Sequence, residues 1–408
     1  MQRSVVFILV MIGITLTGCQ MPSQTVNITT PVPLLPTVVS NPPDPQPTLP
    51  VVTPTPTAKL EPIKLTATVW EELPLVPILM YHRFDPRPGS YSYRYTTSLT
   101  DFDQHLQSLY DAGFSLVALD DWLRGNVHLQ EGRRPLIITI DDLFYADQIS
   151  LDESGSPALY SGIGRLWHFS QAHPDFNFEA ALFYNLGDKG YLNYYSNGIF
   201  TIGEGWREAR ARAIAWCIEN GAMPMNHFYE HPFLNQISPP EIQRQLEEND
   251  RALREALALT GRENLNTALP NILALPYVVW PETEEGQQVL YNYINPEGAP
   301  VAAIIEGDYA GGAKFAQAPF SHAFSRWHIP RISASSSAIS NIIDQKERIP
   351  VAIRCELGEF WVTPQMLPEV ISSAIVTQTE AGSCPYGYYV VNQWAFYVQE
   401  DVIIQHSP

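Results

Sequence analysis

The chain has 408 residues, of which 45% are hydrophobic and 11% aromatic, enough apolar material for a sizeable core, so wholesale disorder is excluded. It carries 24 basic against 43 acidic side chains, a formal charge of −19, with no cluster of Lys or Arg. A nucleic-acid partner and a polybasic membrane patch are excluded on that ground, because phosphate binding needs grouped cations.

In chain order, Met1 to Cys19 opens with Arg3, continues as an apolar run from Val5 to Leu16 and ends in Leu16-Thr17-Gly18-Cys19. The run is too short for an ordinary transmembrane span and fits a secretory signal. Its ending resembles a bacterial lipobox, in which the cysteine is lipidated and becomes the first mature residue. The plainer alternative is a short buried helix beside a chance cysteine. Residues 20–70 form a Pro/Thr-rich segment, and 12 of the chain's 35 prolines fall between Pro22 and Pro62. Stretches such as Thr53-Pro54-Thr55-Pro56-Thr57 favour extended polyproline II and cannot pack a core. The expectation is an extracytoplasmic domain on a tether, anchored to the cell membrane through lipid on Cys19.

From residue 71 the pattern alternates strands with helices. Val76–Tyr81, Ser115–Leu119, Pro135–Ile140, Ala180–Tyr184, Ile272–Trp280 and Val301–Ile305 read as strands. Helices are expected from a cap at Thr100 to Gly113, near 160–173, and over Trp206–Asn220, Pro239–Thr260 and Glu282–Ile294, with Gly221 and Gly261 as stops. This order predicts a parallel α/β sheet, open or closed into a barrel, over residues 71–335. Residues 143–160 read as loop, Ser333–Ser337 as a hinge or loop, and Tyr386–Tyr397 as β structure within a C-terminal extension, 336–408. Cys217 sits in an apolar helical pattern and is expected to be buried, while Cys355 and Cys384 have the option of a disulfide in an oxidising compartment.

Three pieces of sequence carry chemistry. Thr139-Ile140-Asp141-Asp142 places two adjacent carboxylates after a buried strand, which is costly unless something neutralises them. The bland reading is a helix cap and a solvated acid. Asn226-His227-Phe228-Tyr229-Glu230-His231 spaces two histidines four apart, able to converge on a cation from a helical or turned backbone. Taken alone, two surface histidines explain it better. Leu275-Pro276-Tyr277 ends another strand and says nothing by itself. In barrels of this class, chemistry gathers at the C-terminal ends of strands.

Together and in this order, the three pieces resemble the motifs of the polysaccharide deacetylase family, carbohydrate esterase family 4: Thr-Phe-Asp-Asp-Gly, His-(Ser/Thr)-x-x-His and Arg-x-Pro-Tyr. The opening Ile78-Leu79-Met80-Tyr81-His82 and the pattern Phe102, Leu106, Leu109, Gly113-Phe114 resemble its circularly permuted branch, which includes poly-N-acetylglucosamine deacetylases. The resemblance covers about residues 75–335. It implies a distorted (β/α) barrel and one divalent metal ion, zinc by preference, on Asp142, His227 and His231. It further implies Asp141 as general base, His82 as general acid, the Tyr277 amide at the oxyanion, and an N-acetylated glycan as substrate.

The chain departs from the pattern at Leu143 (for glycine), Ala274 (for arginine) and Val278 (for glycine). The missing arginine orients the base in the family. Arg331, in Ile329-Pro330-Arg331-Ile332, either takes over that role or is a structural surface arginine. Tyr91, Tyr93, Tyr95 and Trp280 are candidates for stacking on sugar rings or for ordinary rim packing. A serine hydrolase lacks its Gly-x-Ser-x-Gly, a zincin its His-Glu-x-x-His and a dinucleotide enzyme its Gly-x-Gly-x-x-Gly. The surviving rival is a catalytically inactive deacetylase-fold lipoprotein that binds glycan.

Overall fold

The structure, a computed structural model, describes residues 60–85, 95–125, 127–145, 147–187, 205–307, 314–319, 321–391, 394–399 and 402–406. Cys19, the signal and nearly all of the tether lie outside the described residues, as do Tyr91 and Tyr93. In chain order the strands are β1 (Glu61–Trp70), β2 (Ile78–Tyr81), β3 (Arg83–Asp85), β4 (Thr96–Ser98), β5 (Phe114–Leu116), β6 (Arg134–Leu143), β7 (Ala180–Tyr184), β8 (Ala222–Asn226), β9 (Ile272–Ala274), β10 (Ala303–Ile305), β11 (Ile332–Ser333), β12 (Ile353–Val362), β13 (Gly387–Val391), β14 (Trp394–Gln399) and β15 (Val402–His406). The helices are α1 (Leu99–Asp111), α2 (Leu119–Leu123), α3 (Gly162–Ala172), α4 (Trp206–Glu219), α5 (Pro239–Leu259), α6 (Glu284–Asn292), α7 (Ser336–Asp344) and α8 (Leu367–Glu380).

The central sheet has the order β10-β9-β8-β7-β6-β2-β11, with β5 also pairing β6, and each of these pairings is parallel. It curls until its two edges meet through one segment. Ile329 bridges Ile305 of β10, and three residues later Ile332 pairs with Leu79 of β2. This is the expected distorted (β/α) barrel. Its strands are apolar runs because helices or loops cover one face and the barrel interior the other. Ile138, Ile140, Leu182 and Leu79 belong to one buried cluster; Ile137, Ala181, Phe183 and Ile272 belong to another.

Helix positions follow the amphipathic periodicity. In α5, Ile242, Leu246, Leu253 and Leu257 are buried on one face. The cap of α1 falls two residues before the expected one: Ser98, not Thr100, accepts from the amide of Asp101. Its Oγ satisfies one of the orphan donors of the first turn. Gly221, at φ 99°, ends α4 in a conformation a side chain would strain.

Two expectations are corrected outside the barrel. Glu61–Trp70, the last ten residues of the segment read as tether, form β1, which pairs antiparallel with β12 and β13. The segment Leu65-Thr66-Ala67-Thr68-Val69-Trp70 is β-branched and apolar, and it was masked by the prolines before it. Ser333–Ser337 is not a hinge: Ser335 caps α7 through the amide of Ala338. The C-terminal residues and β1 build a second sheet, β12-β1-β13-β14-β15, whose core holds Leu65, Val69, Leu357, Ile371, Ile375 and Phe396. Cys355 and Cys384 form a disulfide within it, and Cys217 is buried and free.

Candidate metal and catalytic centre

The C-terminal end of β6 delivers the two aspartates in different directions. Asp141 still pairs with Phe183 of β7, but the register then slips so that Leu143 opposes Tyr184. Asp142 is the extra residue of this bulge and has φ 60°. A bulge leaves one residue unpaired and re-aims it, and Asp is among the few residues that tolerate a left-handed backbone. Leu143, just after the bulge, is buried.

Asp141 points inward and is only 2% exposed. Arg331, 1% exposed, grips it with both arms: Nη1 donates to Oδ1 at 2.6 Å and Nη2 to Oδ2 at 2.8 Å. Arg331 also donates to Thr139 Oγ1 at 3.1 Å and to the carbonyl of Glu306 at 3.0 Å. The surface-arginine reading is therefore excluded. Arg331 lies on the segment that closes the barrel, so closure itself brings it to Asp141. Burial alone would raise the Asp141 carboxyl, but Arg331, then His227 and His82, outweigh it and hold it down at about 2. Asp141 is an anion at neutral pH.

Asp142, His227 and His231 converge, with ligand-capable atoms all within 4.8 Å of one another. Asp142 Oδ1 lies 3.4 Å from His231 Nε2 and 3.7 Å from His227 Nε2. His227 follows β8, and its Nδ1 sits 2.9 Å from the carbonyl of Ala274. A carbonyl only accepts, so Nδ1 carries the hydrogen and the Nε2 lone pair faces Asp142. Burial, against the pull of Asp141, pushes His227 down to about 4, so the ring is neutral. Asp142 also accepts from Asn185 Nδ2 at 3.0 Å. Facing lone pairs on one carboxylate and two imidazoles suit a divalent ion and leave coordination positions for other ligands.

The histidines converge through a turn rather than a helix, with Phe228 at φ 63° and His231 at φ 51°. A buried network holds this turn. Asn226 Oδ1 accepts from the Phe228 amide at 2.9 Å and from Asn249 Nδ2 at 2.9 Å, and Asn226 Nδ2 donates to Asp250 at 2.7 Å. Asp250 takes two further donors, the hydroxyls of Tyr184 and Tyr293.

His82 stands at the end of β2, beside β6. Gln148, fully buried, donates from Nε2 to the carbonyls of both His82 (2.7 Å) and Asp141 (2.8 Å), and accepts from the Tyr145 amide. It ties the ends of β2 and β6, at His82 and Asp141, together. Next to it, Asp147 holds Arg83 in a bidentate pair. Residues 147 and 148, in the stretch read as loop, thus brace the site. Tyr277 and Val278 take φ 54° and 57° after β9, and the Tyr277 ring lies 4.3 Å from that of His231. Among the described residues six non-glycine residues have φ between 51° and 64°, and all but Asn177 border this centre. Each costs about 1–3 kcal/mol, and such strain collects where function over-determines the backbone. Trp280 is half-buried, its indole donating to Glu306. Tyr95 is 52% exposed, its ring 4.9 Å from that of His82.

His82, Asp141, Asp142, His227, His231, Tyr277 and Arg331 lie at this end of the barrel. Gln148, Asn185, Asn226, Asn249 and Asp250 were missed. The only sequence signal for them is polar side chains at apolar-pattern positions, Asn249 and Asp250 inside α5 above all.

No family model matches the chain, and no curated protein matches it. Solved structures do. The deacetylase PplD of Streptococcus pyogenes, in complex with acetate, aligns at 15% identity with a TM-score of 0.44, over 70% of this chain and 98% of its own. IcaB from Ammonifex degensii aligns at 17% and 0.41, over 67% and 98%. A de-N-acetylase from Aggregatibacter actinomycetemcomitans aligns at 13% and 0.40, over 65% and 98%. These are likenesses at low identity and low score; the chemistry assigned to this chain rests on the atoms of its own site.

Proposed function

We propose that this chain is a metal-dependent N-deacetylase of an N-acetylated amino-sugar polysaccharide or oligosaccharide, working at the cell envelope from a lipid anchor on Cys19. The observation that carries the reading is the pairing of two unlike carboxylates. Asp142 shares a ligand cluster with His227 and His231, while its neighbour Asp141 is held apart by Arg331. A binding module needs the first at most; hydrolysis needs both.

Asp142, His227 and His231 would hold a divalent ion, zinc by preference, which would supply Lewis acidity toward the acetyl carbonyl and toward water. The rest falls to the chain's own groups. Asp141 takes the proton of the attacking water at Oδ2, the oxygen that faces His227 at 3.9 Å. Arg331 keeps that carboxylate ionised and fixes its plane. The Tyr277 amide, at the end of β9, donates to the developing oxyanion. His82 gives a proton to the leaving amine, so acid and base stand on adjacent strands with Gln148 setting their spacing.

The test is acetate release from a panel of N-acetylated glycans, with elemental analysis of protein purified without chelator. One divalent ion per chain and acetate release are expected. Metal content that stays the same in a His227→Ala/His231→Ala double variant would remove the assignment of the ligands. Metal-loaded wild type that binds glycan but releases no acetate from any acetylated amino sugar would favour an inactive glycan-binding lipoprotein. The anchor is tested separately: Cys19→Ser should leave the protein unprocessed or free of the membrane fraction, and an unlipidated wild-type Cys19 in mass spectrometry would remove it.

A further inference from the structure

We propose that Phe233 is the platform for a second sugar ring, so that the site takes an oligomeric or polymeric glycan in preference to a single amino sugar. The inference rests on the deacetylase reading above and adds a subsite to it. Phe233 comes two residues after His231. Its ring stacks on that of Tyr277 with centroids 3.9 Å apart and planes 9° from parallel, and Tyr277 in turn packs edge-on against His231 at 4.3 Å. Only one ring therefore separates Phe233 from a metal-ligand histidine.

Phe233 is 42% exposed and Tyr277 41%. Isolated exposed apolar side chains need no explanation. A parallel-stacked pair at the edge of a polar centre is different, because Tyr277 packs on Phe233 and still leaves it 42% exposed. A pyranose presents a flat face of C–H bonds, complementary to such a ring, while its hydroxyls stay in water. The platform is also rigid before ligand arrives. Pro232 precedes it, the carbonyl of Phe233 accepts from the Gln236 amide at 2.9 Å, and the Tyr277 ring is packed between those of Phe233 and His231. A ring already held in place loses little entropy on binding.

The experiment compares wild type with Phe233→Ala and Phe233→Trp, leaving Tyr277 intact because its amide is assigned to the oxyanion. Acetate release is followed on N-acetylglucosamine and on its β-1,4-linked oligomers of two to five units. Phe233→Ala should raise KM for the longer oligomers about tenfold, equivalent to 1.4 kcal/mol, with a much smaller change in kcat. The preference for oligomer over monomer in kcat/KM should fall by the same factor, and Phe233→Trp should restore it. Calorimetric titration of the same oligomers onto Asp141→Asn, metal bound, reads the subsite without turnover. Acetate release with an oligomer preference that Phe233→Ala does not alter would overturn the subsite and leave the deacetylase standing. Binding that depends on Phe233, with no acetate released by wild type, would support the subsite and overturn the deacetylase.

Discussion

β6 and β12 are both ten residues long, yet eight residues of β6 are buried and only three of β12. β6 lies in the middle of a parallel sheet covered on both faces, whereas β12 is the edge of an antiparallel sheet with one face in water. On that wet face Lys64 and Arg354 pair with Glu356, and such exposed pairs contribute little. In the barrel a polar side chain has no wet face to occupy. It is excluded, partnered as Thr139 is with the Leu79 carbonyl, or gathered at the strand ends, where Asp141, Asp142, His227, Glu306 and Arg331 meet. The barrel confines chemistry to one place.

The sharpest way to break that contrast is Asp141→Asn. A positioned base contributes about 10²–10⁴ in rate, so acetate release should fall by that much while metal content, measured by elemental analysis, stays at wild-type level because Asp142 is the ligand. Full activity in this variant would refute the mechanism.

In the second sheet the corresponding weak point is covalent. The disulfide closes a loop across 29 positions. Replacing Cys355 and Cys384 by Ser should cost about 3–4 kcal/mol by loop-closure entropy, read as a shift in the denaturant midpoint. Activity per folded molecule should barely move, and a loss comparable to that of Asp141→Asn would show that the two regions are not separable.

A smaller effect is expected from Gln148→Leu. It leaves three backbone groups at the site without their partner, at a cost of about 1–3 kcal/mol. Gln148→Glu tests whether the damage is to spacing or to hydrogen bonding, since it restores the acceptor for the Tyr145 amide but not the two donors. If the staple matters, kcat falls more than stability predicts in both variants.

The smallest effect lies at the opposite end of β7. Glu179, just before that strand, lines a cavity of about 420 Å³ with Asp121, His128 and Asn177. Burial, helped by Asp121 and Asp120, pushes it up from 4.5 to about 8. Its folded value is raised, so the folded state holds the proton more tightly. The stabilisation is complete below about pH 4.5 and is lost as pH rises through 8. Glu179→Gln should therefore leave stability at pH 4 nearly unchanged and raise it at pH 9 by about 1–2 kcal/mol, discounted for partial exposure. Thermal melts at the two pH values check this; equal shifts at both would mean that the Glu179 carboxyl titrates alike in the folded and unfolded chain.

Much of this architecture was legible in the chain. Ala180–Tyr184 and Trp206–Glu219 stand within a residue of the expected elements, because long apolar periodicity survives any tertiary context. The strand β1 was not legible, since its partner β12 is nearly three hundred residues away and its own prefix reads as tether. Gln148 was not legible either. A glutamine in a loop is unremarkable until two carbonyls from strands β2 and β6 are brought to its amide.

By itself, then, the sequence determined that β6 ends in two carboxylates, that two histidines follow β8 four residues apart, and that apolar strands alternate with amphipathic helices. These depend on near neighbours and on the cost of leaving apolar runs in water. The tertiary structure decided which carboxylate faces which partner. A one-residue bulge turns Asp142 toward His227 and His231, while closure of the barrel through 329–333 carries Arg331 to Asp141 across 190 positions of chain. Arg331 can serve Asp141 from so far away because a buried carboxylate needs a cation at a point in space and is indifferent to where along the chain that cation originates.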